Sequence, residues 1–559
     1  MSTVSPSAPK SESTSPFDPA DWYTKTFGQK LEIGCREYIL KGLAYPLPAY
    51  IFHAIKIAAL FAGWVFFCGF TPGLGTWSDI GAWAFEPTAF QKAFLWGLTF
   101  ETLGMGCMSG PLGLRLWPPF TAFLHYLRPG TTKLPLFPGA PIIGGTRRTW
   151  LDVAFYAAFV ASLFYALIQP ELLPRHLIPV VALLPLCALG DRVVFLSCRG
   201  EHHYAIVVTF LLAGGDWIGA SKWVQLAIWF WAGVSKFTPA FAYVVPIMTA
   251  NNPFLKIPAF RKKLFVSYPD DLSPSTLGKI MAHMGTFLEV GAPLALVWVT
   301  QEGPLLYIGI AMVLMLHGFI LSNMPIAAVF EWNILSAYAG IFLFYFHPGA
   351  SLFDVGGPIT ALYLIAGCLV VPALGNLVPR WISFLLAMRY YAGNWAWNAW
   401  LIRTDSLPKF EKLKRGSKLL VQQQQKFLPP AQAAEADGLF LAFRALHLQG
   451  RVLGKLLPQT LDGRRSQDYT YCDGEGIAGS VLGWNFGEGH LADERLLAAI
   501  QQQCGFEEGE VRVISVEAQP ILKRTLHWRI NDAKTGRIAE GHVGLDELAQ
   551  RKPWDCGGA

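Results

Sequence analysis

"WFWAGVSKFTPAF", residues 229–241, sets one lysine, Lys236, directly after an almost uninterrupted apolar run. An ammonium in such a run is either held in a protein cavity or carried to a membrane surface, and both cases need apolar helices in a bilayer around it. The rest of the chain agrees. Its 559 residues are 53% hydrophobic, 14% aromatic and only 15% charged, with a mean hydropathy of +0.35. A soluble protein of average make-up carries roughly 25% charged residues, so this chain lacks the charge to cover a water-facing surface. The expected fold is an all-α polytopic membrane bundle of about ten transmembrane helices over residues 48–400. A basic linker at 404–430 joins it to a small soluble α+β domain at 431–559.

The start of the chain, "MSTVSPSAPKSESTSPFDPADWY", is Ser/Pro-rich, and residues 1–47 read as disordered and then amphipathic. No early apolar core marks a secretory signal peptide. Nine cysteines form no CxxC pair, so neither a zinc site nor a disulfide framework is indicated. A span needs about 20 apolar residues. The candidates are residues 48–70, 87–108, 149–168, 175–198, 203–214, 222–238, 279–299, 304–329, 332–347 and 359–377. "WISFLLAMRYYAGNWAWNAWLIR", 381–403, carries Arg389 among many aromatics and fits a helix lying in the membrane interface.

Positive charge orients the bundle. Segment 109–148 holds Arg115, Arg128, Lys133, Arg147 and Arg148, and segment 239–278 holds Lys256, Arg261, Lys262 and Lys263. The alternating loops "TPGLGTWSDIGAWAFEP" and "HPGASLFDVGGP" carry acids and no Lys or Arg. Both termini are therefore expected in the cytoplasm of a bacterial cell, with 109–148 as a long cytoplasmic loop. In the tail, "LLAAIQQQCGF" reads as a helix, "EVRVISVEAQP" as a strand, and "TLHWRINDAKTGRIAEGHVGL" as a hairpin turning at "NDAKTG". The basic linker suits anionic headgroups.

Ionisable groups at membrane depth are costly and mark interior sites. Glu101, Asp191, Arg192, Lys236, Glu289 and His317 fall within the apolar spans, and Asp191-Arg192 reads as a self-neutralising pair. At 1.5 Å per residue, Glu101 and His317 lie about 20 Å, and Glu289 about 15 Å, from the outer ends of their helices. Glu101 shares a helix face with Gly97 and Gly104, Glu289 with Gly285, Thr286 and Ala292, and Lys236 with Ala232 and Gly233. Small residues permit close helix contact, so these groups point at protein. The bland alternatives are a snorkelling Lys236 and interhelical hydrogen bonds for the other three.

The A-G-x-x-K-F pattern at Ala232, Gly233, Lys236 and Phe237 resembles a signature of the HTTM (horizontally transferred transmembrane) superfamily, which includes the vitamin K-dependent γ-glutamyl carboxylases. "FLEVGAPLALVW" with Glu289 and "MLHGFILSNMPIAAVFEWN" with His317 follow in the same order. The resemblance covers roughly residues 149–350. It implies Lys236 as a base toward a reduced quinone; in the enzyme reading Glu289 and His317 are its proton partners and Glu101 a further relay. Trp229, Phe230 and Trp231 would wall a quinone-type cofactor. The carboxylases' large non-cytoplasmic substrate domain has no counterpart in this short tail, so carboxylation itself is not carried over. The whole chain also resembles a family of bacterial multi-pass transmembrane proteins of unknown function, through "YLRPGTTKLPLFPGAPIIGGTRRTWLD" and "GWNFGEGH".

"RGEHHY", Arg199–Tyr204, has poor metal spacing and reads as an interfacial polar cluster. "GWNFGEGHLADE" reads as a turn and helix N-cap, with His490 near Glu488 and Asp493. No metal site, Walker motif, Ser-His-Asp order or nucleic-acid module is present. The expected function is an integral membrane enzyme acting on or with a quinone- or lipid-like molecule. A proton-coupled carrier, or a membrane anchor working through protein partners of its tail, are the alternatives. An enzyme needs an open cavity beside Lys236, a carrier a path to both faces, and an anchor neither.

Overall fold

In the computed structural model, which describes residues 16–107, 109–323 and 329–558, the chain is mostly helical and ends in a β-sheet region. The disorder expected at the Ser/Pro-rich start falls largely on residues 1–15, outside the described residues. Among the described residues, four helices are long and apolar enough to cross a membrane: Leu47–Cys68, Trp150–Leu167, Pro304–Ser322 and Pro358–Leu377. The lengths and composition thus support four spans and not about ten.

The remaining apolar stretches form helices of other kinds. Pro87–Thr102 is almost wholly buried by its neighbours, so its apolar surface meets protein. Residues 175–198 are broken where Asp191 leaves helical geometry and caps the short helix Arg192–Ser197. The helix Ala205–Leu212 has eight residues, only about 12 Å of rise. Trp217–Val234 and Thr276–Leu296 are long but carry polar groups that the fold satisfies internally. Lys222, for example, donates to the carbonyls of His347 and Ala350 at 2.8 and 2.7 Å.

A small hairpin of β1 (Phe265–Ser267) and β2 (Asp271–Pro274) interrupts segment 239–278. The main sheet contains β3 (Trp397–Arg403), β4 (Tyr469–Asp473), β5 (Val511–Val516), β6 (Thr525–Asp532) and β7 (Gly536–Gly544). It is antiparallel in the order β4-β3-β5-β6-β7. The expected strand at β5 and the hairpin β6–β7 are present, as is the helix Glu494–Cys504, ended by Gly505 at a positive φ. The expected interfacial helix at 381–403 is not. Its first part is a series of turns, and its last seven residues are β3, an inner strand. Aromatic residues serve a membrane interface and a buried strand equally well, and composition alone did not separate the two.

The N-terminal segment belongs to the same unit. Helix Phe27–Lys41, opened by a Thr26–Gln29 capping box, packs on helix Pro430–Leu446. The crossing is tight: a Cβ on Gly34 would stand 2.3 Å from the Gly438 carbonyl oxygen. Phe17, Trp22 and Leu31 share one apolar core with Leu439, Leu457 and Ile514. Loop 109–148 clamps this unit to the bundle. Lys133 pairs with Asp152 at 2.7 Å, and Arg115 donates to the Gly479 carbonyl at 3.0 Å. Asp191 pairs with Arg148 at 2.5 Å, while Arg192 donates to the His490 carbonyl, so the two neighbours do not neutralise each other.

Candidate functional site

Helices Trp217–Val234 and Thr276–Leu296 approach closely because Gly233 has no side chain. A Cβ there would lie 2.6 Å from Val290 Cγ2 and 3.0 Å from the Val290 nitrogen. This contact sets the turn after Val234 against the middle of the second helix. Lys236 Nζ stands 2.5 Å from Glu289 Oε2 and donates to the Ala232 carbonyl at 3.2 Å. It also lies 5.4 Å from the centroid of the Phe241 ring. Lys236 is 4% exposed and Glu289 6%, so the ammonium ends inside the protein and not at its surface. Two charges taken from water this far are tolerated only as a pair.

The pair borders a cavity of about 430 Å³, within the roughly 300–1,000 Å³ range of small-molecule pockets. One wall is apolar and includes Met281, Met284, Leu288, Met315, Phe319 and Ile320. Met284, Met315 and Phe319 are also exposed, so the cavity opens sideways between helices Thr276–Leu296 and Pro304–Ser322. Methionines at such an opening adapt to ligands of differing shape.

The opposite wall is polar. Trp229 Nε1 donates to His317 Nε2 at 3.0 Å, and His317 Nδ1 meets Asn333 Oδ1 at 2.8 Å. Asn333 Nδ2 in turn donates to the Val329 carbonyl at 2.7 Å. Nε2 must therefore accept and Nδ1 must donate, which fixes one neutral tautomer. A second proton would set two donors against each other at Trp229. In this arrangement the His317 ring is neutral, with its proton on Nδ1 and its Nε2 lone pair engaged by Trp229.

Of the expected site residues, Lys236, Glu289, His317 and Trp229 line this one cavity. Phe230 and Trp231 do not. Successive helical residues point about 100° apart, and these two line a second, apolar cavity of about 470 Å³ with Pro293, Leu364 and Cys368. Glu101 also lies elsewhere, accepting from the Cys107 N–H at 2.9 Å beside Glu331.

Glu101 belongs to a buried polar cluster behind the cavity wall. There Arg199 Nη2 pairs with Glu201 Oε1 at 2.7 Å, and its guanidinium lies 4.6 Å from the Trp332 ring centroid. The Tyr390 hydroxyl donates to Glu201 at 3.1 Å, and Tyr390 and Trp332 both line the cavity. "RGEHHY" is thus an interior element and not an interfacial one, since Arg199, Glu201, His202 and His203 are all buried. Among the described residues no group of three His, Cys, Asp or Glu converges on a metal position.

Sequence reasoning passed over Asn333, Trp332 and Tyr390. Asn333 stands with Glu331 and Ser336 in an apolar stretch, and counting amides as well as charges at membrane depth would have found it. Tyr390 was hidden in the stretch read as an interfacial helix.

A second cluster lies in the tail. His490 contacts Glu488 Oε1 at 2.7 Å and Glu517 Oε2 at 2.9 Å, and Arg529 reaches Glu517 at 2.9 Å. Asp493 caps helix Glu494–Cys504 instead, consistent with the N-cap reading. Burial alone would lower the His490 pKa, but Glu488 and then Glu517 reverse this and raise it to about 10. Burial would raise Glu517, but His490 and Arg529 hold it down at about 2.

The signs give a pH window. The His490 contribution is complete below its unfolded value of about 6.5 and is lost as pH rises toward 10. The Glu517 contribution is complete above about 4.5 and is lost as pH falls toward 2. Thermal stability is expected to be greatest at about pH 4.5–6.5 and to decline on the alkaline side. His490→Gln should flatten that alkaline decline, and parallel declines in melting curves of the two proteins would show that the cluster contributes nothing.

The sequence model of one family, described as "Transmembrane protein of unknown function (DUF3556)", matches residues 10–559. No curated protein and no solved structure matches the chain.

Proposed function

We propose, for a chain that belongs to the DUF3556 family of transmembrane proteins of unknown function, that it holds a lipophilic, quinone- or lipid-like molecule beside Lys236 and acts on it as an acid–base catalyst. The observation that carries this reading is the Lys236–Glu289 pair at the wall of a laterally open, largely apolar cavity. A bilayer-soluble molecule enters such a cavity without crossing water, and its polar end finds Lys236, the one ammonium among the described residues that line this cavity. Perturbed ionisable groups in an apolar cleft are the usual setting of proton chemistry.

The proposed step is a proton transfer. Movement of a proton from the Lys236 ammonium to Glu289 leaves a neutral amine and a carboxylic acid. The amine then accepts the proton of a phenolic or enolic O–H on the ligand, leaving an oxyanion beside an ammonium. Trp229, His317 and Asn333 hold the opposite wall in one hydrogen-bonded arrangement. The resemblance of Ala232–Phe237 to the HTTM signature supports a reduced quinone as the ligand class.

Cytoplasmic termini in a bacterial cell membrane are part of this proposal. Packing of helix Phe27–Lys41 on Pro430–Leu446 supports both ends of the chain lying on one side. The test is identification of the molecule that purifies with the protein, and its loss from Lys236→Ala.

A further inference from the structure

Loop 109–148 and the linker at 404–430 meet in a groove of about 490 Å³ that has no part in the Lys236 cavity. Six cations line it, Arg128, Lys412, Lys414, Arg415, Lys418 and Lys426, against one carboxylate, Glu411. Two of the lysines are held by carbonyls, Lys412 by Cys504 at 2.8 Å and Lys414 by Pro129 at 3.4 Å. Arg415 spends Nη2 on Glu411 at 2.9 Å. Its Nη1 is buried without a partner, although the side chain is only 5% exposed, and the buried hydroxyl of Ser417 in the same groove also has none. Among the described residues, neither Arg128 nor Lys426 has a carboxylate partner within ion-pair distance. A buried guanidinium N–H and a hydroxyl, ringed by cations, form a donor set for phosphate oxygens.

The groove's depth in the fold indicates where that phosphate comes from. Trp117 and Phe427 line it, and Trp117, Phe120, Leu124 and Phe427 are all exposed, Trp117 by 64%. The Phe120 ring lies 5.6 Å from that of Phe52, in the second turn of the membrane-spanning helix Leu47–Cys68. Leu47, Ile51 and Ile55 on the same helix are exposed. The aromatic rim is therefore level with the start of a span, where aromatic and basic residues meet the headgroups.

We propose that this groove binds the phosphate headgroup of an anionic phospholipid, with Arg415 and Ser417 on the phosphate and Trp117 and Phe120 against the acyl-chain boundary. Full-length protein in a neutral detergent would be titrated with dioleoylphosphatidylglycerol and with dioleoylphosphatidylcholine, binding being read by native mass spectrometry. The anionic lipid is expected to bind about tenfold more tightly than the zwitterionic one. Arg128→Gln/Lys418→Gln/Lys426→Gln, all at exposed positions that leave the fold intact, should reduce the preference to about twofold or less. Arg415→Gln should weaken anionic-lipid binding further in a protein whose melting temperature is checked alongside. No preference in the wild type, or a preference unchanged in the triple variant, overturns the proposal. So does full displacement of the lipid by millimolar inorganic phosphate, which would make the groove a site for the free ion.

Discussion

Lys236→Met is expected to destabilise the protein by about 3–5 kcal/mol, and Glu289→Leu by a similar amount, because each leaves a buried charge without its partner. The double substitution is expected to return stability to within about 1 kcal/mol of the wild type, since no unpaired charge then remains. The prediction rests on the 2.5 Å contact and on the burial of both residues. Unfolding in a detergent titration, run on all four proteins as a cycle, measures the coupling. A lysine anchored at the headgroups would give the opposite pattern, with Lys236→Met nearly silent and no coupling to Glu289. The double variant serves a second purpose. It keeps the fold while removing the proposed acid–base pair, so a loss of ligand in it reports on the site and not on unfolding.

The second large effect is expected at Trp400, which no catalytic argument touches. In β3 it is fully buried, and its indole N–H donates to the Ala492 carbonyl at 3.1 Å. Removing a side chain of that size from a packed core costs about 3–5 kcal/mol. Trp400→Ala should therefore lower the melting temperature sharply or prevent folding of the C-terminal unit. Trp381, in the same aromatic stretch but exposed, is the control and should tolerate alanine with little change. An interfacial helix would treat the two tryptophans alike. Equal, small effects at both positions would return the stretch to the membrane surface.

These two cases show how much the sequence carried. The pairing of Lys236 with Glu289 was legible because both are ionisable groups set among small residues, and burying a charge constrains what surrounds it. Gly233 marks the close approach that joins them. The membrane class followed from the charge deficit, and β5, β6, β7 and helix Glu494–Cys504 followed from alternation and turn chemistry. What could not be read was tertiary assignment. An apolar helix buried by protein, such as Pro87–Thr102, has the same composition as one facing lipid. The aromatic stretch ending in β3 had the same ambiguity. Nothing local in Phe27–Lys41 announced that it closes on Pro430–Leu446, more than 380 residues later in the chain. His317 was found as an ionisable group in an apolar span, but its bonding to Trp229 and Asn333 was not, because Asn333 carries no charge to draw attention.

The central claim is that a lipophilic molecule occupies the cavity beside Lys236. Mass spectrometry of the small molecules carried by protein purified in nanodiscs, wild type against Lys236→Ala and the Lys236→Met/Glu289→Leu pair, tests it most directly. The expected result is a defined lipophilic species, of quinone or related class, near stoichiometric in the wild type and absent from both variants. Bulk phospholipid alone, identical in all three proteins, would contradict the claim and leave Lys236 and Glu289 as a structural ion pair.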